Sequence, residues 1–141
     1  MRELRNQGRR CAIVEKWNMH VGPHGVRQDL FGIIDVIALD PQRGVVGVQS
    51  CGMNFAEHER KFFEERAEEC IDWLSTPGTA LELWGWRKVK LKRGGKAMRW
   101  QPRIREFTLA DFGVPVELRK PESPVMGEWS AHAHQEWLPQ K

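Results

Sequence analysis

Asp35 interrupts an otherwise apolar run, Ile33-Ile34-Asp35-Val36-Ile37-Ala38-Leu39, and a carboxylate set among such neighbours needs a partner. Residues 40 to 44, Asp-Pro-Gln-Arg-Gly, have the composition of a hairpin loop. If they form one, Leu39 faces Val45, and counting back in register sets Asp35 directly opposite Gln49. Adjacent strands run about 4.8 Å apart, so two oxygen-bearing side chains so placed can hold one hard cation between them. A cation held there can lower the pKa of a bound water and neutralise charge developing on a phosphate, the two needs of phosphodiester hydrolysis.

Other residues join this constellation only under conditions that spacing leaves open. Asp29 shares the parity of Asp35, but six residues of strand span roughly 20 Å, too far for one ion unless Gly32 marks a bulge. A salt bridge from Asp29 to Arg27 or another base is the alternative. Glu15, in Ala12-Ile-Val-Glu-Lys-Trp17, reads either as a metal ligand or as an exposed strand residue. Gln49 is either part of the site or a satisfied polar residue of a core strand, and Lys61 either serves the site or is a solvated helix lysine. Cys51 reads as a buried, inert thiol, since no base lies near it in sequence. The pairs His20 with His24 and His132 with His134 have no partners at metal-ligand spacing, so loop chemistry or DNA contact outranks zinc.

These side chains need elements to hold them. Strands are expected over residues 11–17, 30–39 and 45–50, each rich in β-branched or large apolar residues. Apolar positions at helical spacing predict one long helix over residues 55–74, with Asn54 and Glu57 as its capping box and Thr76-Pro77-Gly78 as its end. Two more strands, 80–91 and 98–107, flank a basic turn, Lys92-Arg93-Gly94-Gly95-Lys96. Strands, a helix and strands again predict an α/β or α+β domain with the helix on one sheet face. The main folded body is expected over residues 1–108. Residues 109–141, proline-rich, read as an irregular tail, wrapped on the body through Trp129 and Trp137 or extending from it.

Charge is laid out unevenly along these elements. Seven acids fall in residues 55–74, whereas Arg87, Lys88, Lys90, Lys92, Arg93, Lys96, Arg99, Arg103 and Arg105 follow one another without an acid between them. A lysine-rich edge strand guards against edge pairing, but nine bases exceed that need. Trp84, Trp86 and Trp100 alternate with them, and such rings either pack in a core or stack on unpaired bases. No residue pattern reads base edges, so the basic segment is expected to recognise DNA shape or structure through its phosphates.

Gly32-x-x-Asp35-Val-Ile-Ala-Leu39, a turn, Val45-Val-Gly-Val-Gln49-Ser-Cys51 and then a helix resembles the core of the PD-(D/E)XK nuclease superfamily. The likeness is to small Holliday-junction-resolvase-like and VRR-NUC-like proteins and covers roughly residues 8 to 90. It implies a restriction-endonuclease-like mixed sheet flanked by helices, cleavage of DNA with Mg²⁺ or Mn²⁺, and often a homodimer. Asp35 matches the family's motif aspartate. Where the family has an acid, any residue and a lysine, this chain has Gln49-Ser50-Cys51. Gln49 would then complete the shell of the ion with Glu15 or Asp29 adding a carboxylate, and Lys61, with Lys16 and Lys88 behind it, would supply the missing cation. Glu3 or Glu15 would stand for the family's first-helix acid.

Length and composition narrow the alternatives. A chain of 141 residues with 40% apolar content fits one globular domain large enough to bury a core without staples. Three cysteines without CxxC spacing exclude a disulfide framework and a zinc knuckle, and point to a reducing, cytoplasmic setting. No apolar run is long enough to span a membrane. No Ser-His-Asp order, P-loop or dinucleotide glycine pattern appears. The expected activity is metal-dependent DNA hydrolysis, branched DNA included. A catalytically inactive DNA-binding or partner-binding protein of the same fold, and an RNA-directed nuclease, are the alternatives.

Overall fold

The computed structural model describes residues 1–115. In chain order they form α1 (Arg2–Asn6), β1 (Arg10–Ile13), β2 (Lys16–Asn18), β3 (Val26–Gln28), β4 (Val36–Asp40) and β5 (Gly44–Cys51). These are followed by α2 (Phe55–Glu64), α3 (Ala67–Ser75), β6 (Thr79–Lys90), β7 (Met98–Phe107) and a 3-10 turn, Leu109–Phe112. Five strands make one mixed sheet in the order β1-β4-β5-β6-β7, with β5 and β6 parallel and the other pairs antiparallel. A parallel pair needs a crossover connection, and α2 with α3 supplies it.

The β4–β5 register pairs Leu39 with Val45 and Val36 with Val48, as the loop count predicts. Asp40 fixes that loop by accepting the Gln42 and Arg43 amides at 3.0 and 3.2 Å, bonds that hold its carboxyl below the usual range.

α2 and α3 cover one sheet face. Phe62, Cys70 and Leu74 bury against Leu81, Leu83 and Phe107, and a Cβ on Gly85 would overlap the Phe55 ring, so α2 lies directly on β6. The Trp73 indole donates to the Ala80 carbonyl at 2.8 Å and ties α3 to the same strand. Leu109, Phe112 and Val114 join this layer, so the packed body reaches past residue 108. The other face carries Val36, Ala38, Val46, Val48 and Trp84, covered in part by Leu4 of α1. Its buried carboxylate, Glu82, accepts the Trp84 indole N–H at 2.7 Å and pairs with Arg9 and Arg43.

Four expectations need correction. The single helix over 55–74 breaks at Glu65-Arg66, where the Lys61 carbonyl accepts both amides, although apolar spacing runs on unbroken across the step. Asn54 precedes α2 but its side chain caps nothing, so no capping box with Glu57 forms. The strand over 11–17 bends at Val14-Glu15, because both amides turn to the Asp35 carbonyl, and the chain then enters a separate ribbon, β2–β3. The strand over 30–39 begins only at Val36, because residues 30–33 form a turn. No helix of the described residues is long and apolar enough to cross a membrane. Trp129, Trp137, His132 and His134 lie outside the described residues.

Candidate active site

The turn at residues 30–33 builds the site. Phe31 and Gly32 both take positive φ, 56° and 73°, the signature of a type I′ turn, and the Ile33 amide closes it on the Leu30 carbonyl at 3.2 Å. Leu30 and Ile34 then exchange both backbone bonds, at 2.9 and 3.1 Å. Asp29 and Asp35 are the next pair outward, facing each other across this short hairpin. The distance argument against Asp29 therefore fails: it assumed an extended strand, and the chain doubles back instead.

Glu15 enters from the third side through the bend in which Val14 and Glu15 donate to the Asp35 carbonyl, at 2.8 and 3.4 Å. Carboxylate oxygens of Glu15, Asp29 and Asp35 all lie within 4.8 Å of one another. All three side chains are half-buried.

Gln49 stands opposite Asp35, as the register requires. Its Nε2 donates to Asp35 Oδ1 at 2.8 Å, and the Ser50 amide donates to Oδ2 at 2.8 Å. The glutamine is 3% exposed, and its Oε1 is buried without a partner among the described residues. Burial is the main reason the Asp35 carboxyl is pushed up to about 7; the Ser50 amide opposes the shift, while Asp29 and Glu15 add to it. A cluster of this kind favours a bound proton or a bound cation.

Positive groups ring the acids. Lys61, in the second turn of α2, brings Nζ to 3.9 Å from Asp29 Oδ2, and Arg27 reaches Glu15 at 3.5 Å. His58, one helical turn before Lys61, lines the same cleft with Nδ1 buried and without a partner among the described residues, and burial followed by the Lys61 charge holds its pKa below the usual histidine value. Sequence reasoning missed His58 and the role of Arg27; a helix position three residues before Lys61 was the available signal for the first. Cys51 is buried, and its thiol is pushed up by burial and then by Asp35, which leaves it neutral and inert. Among the lysines, Lys61 alone ion-pairs with the cluster among the described residues, while Lys16 lies in β2 and Lys88 over the Trp100 ring. Glu3 does not line the cleft, to which this end of the chain contributes Met1 and, from α1, Leu4.

The acids sit in a cleft of about 440 Å³ at the end of the sheet, where β4 begins and β5 ends. Trp84 and Trp86 of β6 line it from the sheet face that α2 and α3 leave free, whereas Asp35 and Gln49 point by alternation to the face that the helices cover, so the cleft wraps the end of the sheet. From there the β6–β7 ribbon continues outward. Lys88 and Lys90 share the tryptophan face by alternation, Arg87 and Arg99 take the other, and Lys92, Arg93 and Lys96 crowd the exposed loop. Arg103 and Arg105 serve the fold: Arg103 lies 4.2 Å over the Phe55 ring, and Arg105 pairs with Glu59 and stacks on Phe107. The basic run thus divides between two faces and a tip rather than forming one track.

The chain matches no protein-family model, no curated protein and no solved structure, so its own geometry carries the functional reading.

Proposed function

We propose that this protein is a metal-dependent endonuclease that hydrolyses DNA phosphodiester bonds, with a restriction-endonuclease-like core of the PD-(D/E)XK kind and branched DNA among its substrates. One observation carries the reading: three carboxylates converge within 4.8 Å, beside a buried amide oxygen that has no partner among the described residues, and within reach of a lysine. The donor set is all hard oxygen, with no thiolate in it, which suits Mg²⁺ or Mn²⁺. Asp35, Asp29 and Glu15 would hold the ion, and Gln49 would offer the amide oxygen. When bound, such an ion activates water and offsets charge on the phosphate.

The rest falls to the side chains. Gln49 and the Ser50 amide fix the Asp35 carboxylate in one orientation. Lys61, held by Asp29 on the rim, brings a positive charge to where charge grows on the scissile phosphate. His58 is neutral at neutral pH and can accept a proton from the attacking water. Lys88, Lys90 and the loop bases Lys92, Arg93 and Lys96 grip the backbone, with Arg87 and Arg99 on the reverse face of the ribbon.

The test is incubation of branched, single-stranded and duplex DNA with the protein in Mg²⁺ and in EDTA, beside Asp35→Asn. Nicking should require the metal and fall about a hundredfold or more in the variant. Metal-independent nicking, or equal rates in both proteins, refutes the assignment. Salt-sensitive binding without nicking supports the second reading, a DNA-binding protein of nuclease-like fold, which Gln49 in place of an acid and Cys51 in place of a lysine favour. RNA offered in parallel separates the nucleic acids, and sedimentation tests the homodimer that the resemblance implies.

A further inference from the structure

The free face of the β6–β7 ribbon pairs Trp86 with Pro102, Lys88 with Trp100 and Lys90 with Met98. Trp100 is 60% exposed and the Lys88 ammonium lies 5.2 Å over its ring. Trp86 is half-buried against Trp84, centroids 5.9 Å apart, and forms the wall of the acid cleft. Two residues of strand advance roughly 7 Å, so Trp86 and Trp100 are diagonal neighbours on one surface, and Trp86 carries that surface to the cleft, which leads round the end of the sheet to the acids.

We propose that this surface is a stacking platform for the unpaired bases of a DNA single strand, whose backbone continues into the acid cleft. The proposal rests on the nuclease reading and names the form of its substrate. Arg99, Arg103, Arg105 and Pro102 would explain protection of β7, which is an edge strand; an indole left in water on the same strand does not protect an edge. Ring and ammonium interleaved on one face are what a single strand needs, a π-surface for each base and a cation for each phosphate. A continuous duplex keeps its base faces stacked on one another and can use only the lysines. Charge complementarity favours this occupant over another protein, since Lys88 and Lys90 lie on this face, Lys92, Arg93 and Lys96 crowd the loop at its end, and residues 87–105 hold no acid.

The test is fluorescence anisotropy of a labelled oligo-dT strand and of a duplex of equal length, in EDTA, with the full chain and with Trp100→Ala and Trp100→Phe. Wild type should bind the single strand more tightly than the duplex. Trp100→Ala should weaken the single strand about tenfold and leave the duplex unchanged, while Trp100→Phe should keep most of the affinity. Equal affinity for the two forms in wild type, or an equal loss for both in Trp100→Ala, overturns the platform. So does a dimer that Trp100→Ala dissociates while oligo-dT binding stays intact, which would assign the face to a second copy. EDTA removes hydrolysis from the comparison, so single-strand binding without nicking defeats the nuclease reading alone, and nicking without single-strand preference defeats the platform alone.

Discussion

A carboxylate placed beside two others, partly buried and pushed up to about 7, opposes folding whenever it is ionised. Asp35 is in that position, and the amides of Gln49 and Ser50 aim it without removing the conflict. Because the folded state raises its pKa above the ordinary 3.8, the protonated form adds stability that is complete below that value and lost as the pH rises through about 7. In EDTA, Asp35→Asn should therefore melt a few degrees above wild type on the alkaline side of about pH 7, with the gap closing towards about pH 4. Melting curves followed by circular dichroism check this, and a gap that does not vary with pH would show that Asp35 carries no such burden. Asp35 and Gln49 were legible in the sequence because an acid in an apolar run is conspicuous and a short loop fixes the register. The pairing inside that couple was not, since composition cannot tell which of the glutamine's two polar atoms meets the acid.

The element that decides the site is the four-residue turn at Leu30 to Ile33, and its sequence hides it. Type I′ turns announce themselves through Asn-Gly or Asp-Gly, but here a phenylalanine takes the left-handed conformation before Gly32, inside a run that reads as strand. Once the turn is in place, Asp29 faces Asp35, and Lys61 of α2 meets Asp29 from the helix layer. Gly32 is required for its φ of 73°, and an added Cβ would also displace the Arg66 guanidinium, 3.1 Å away. Gly32→Ala should cost about 1–2 kcal/mol in urea denaturation. Gly52, with open space around its Cβ position, should tolerate the same change within about 0.5 kcal/mol. Equal costs at the two sites would contradict the role given to the turn. The break between α2 and α3 was illegible for a related reason: apolar spacing reports the buried face, and both helices bury the same face of the sheet.

At the scale of the molecule, the mixed sheet has one face covered by α2 and α3 and one left largely free. The order of strands, helix and strands was enough to predict the covered face, because a crossover between parallel strands must pack somewhere. The proposed platform follows from alternation along β6 and β7, which separates Trp86, Lys88 and Trp100 from the arginines that pack on α2. What the sequence could not supply was the meeting of three chain segments, around residues 15, 29 and 35, at one end of that sheet. The whole account turns on those three carboxylates taking a hard cation. Titration of Mn²⁺ into the full chain at about pH 8, read by the paramagnetic signal of the free ion, measures this directly. One ion should bind per chain, with affinity about tenfold or more weaker in Asp35→Asn and in Asp29→Asn. No saturable binding, or binding unaltered in both variants, would contradict it.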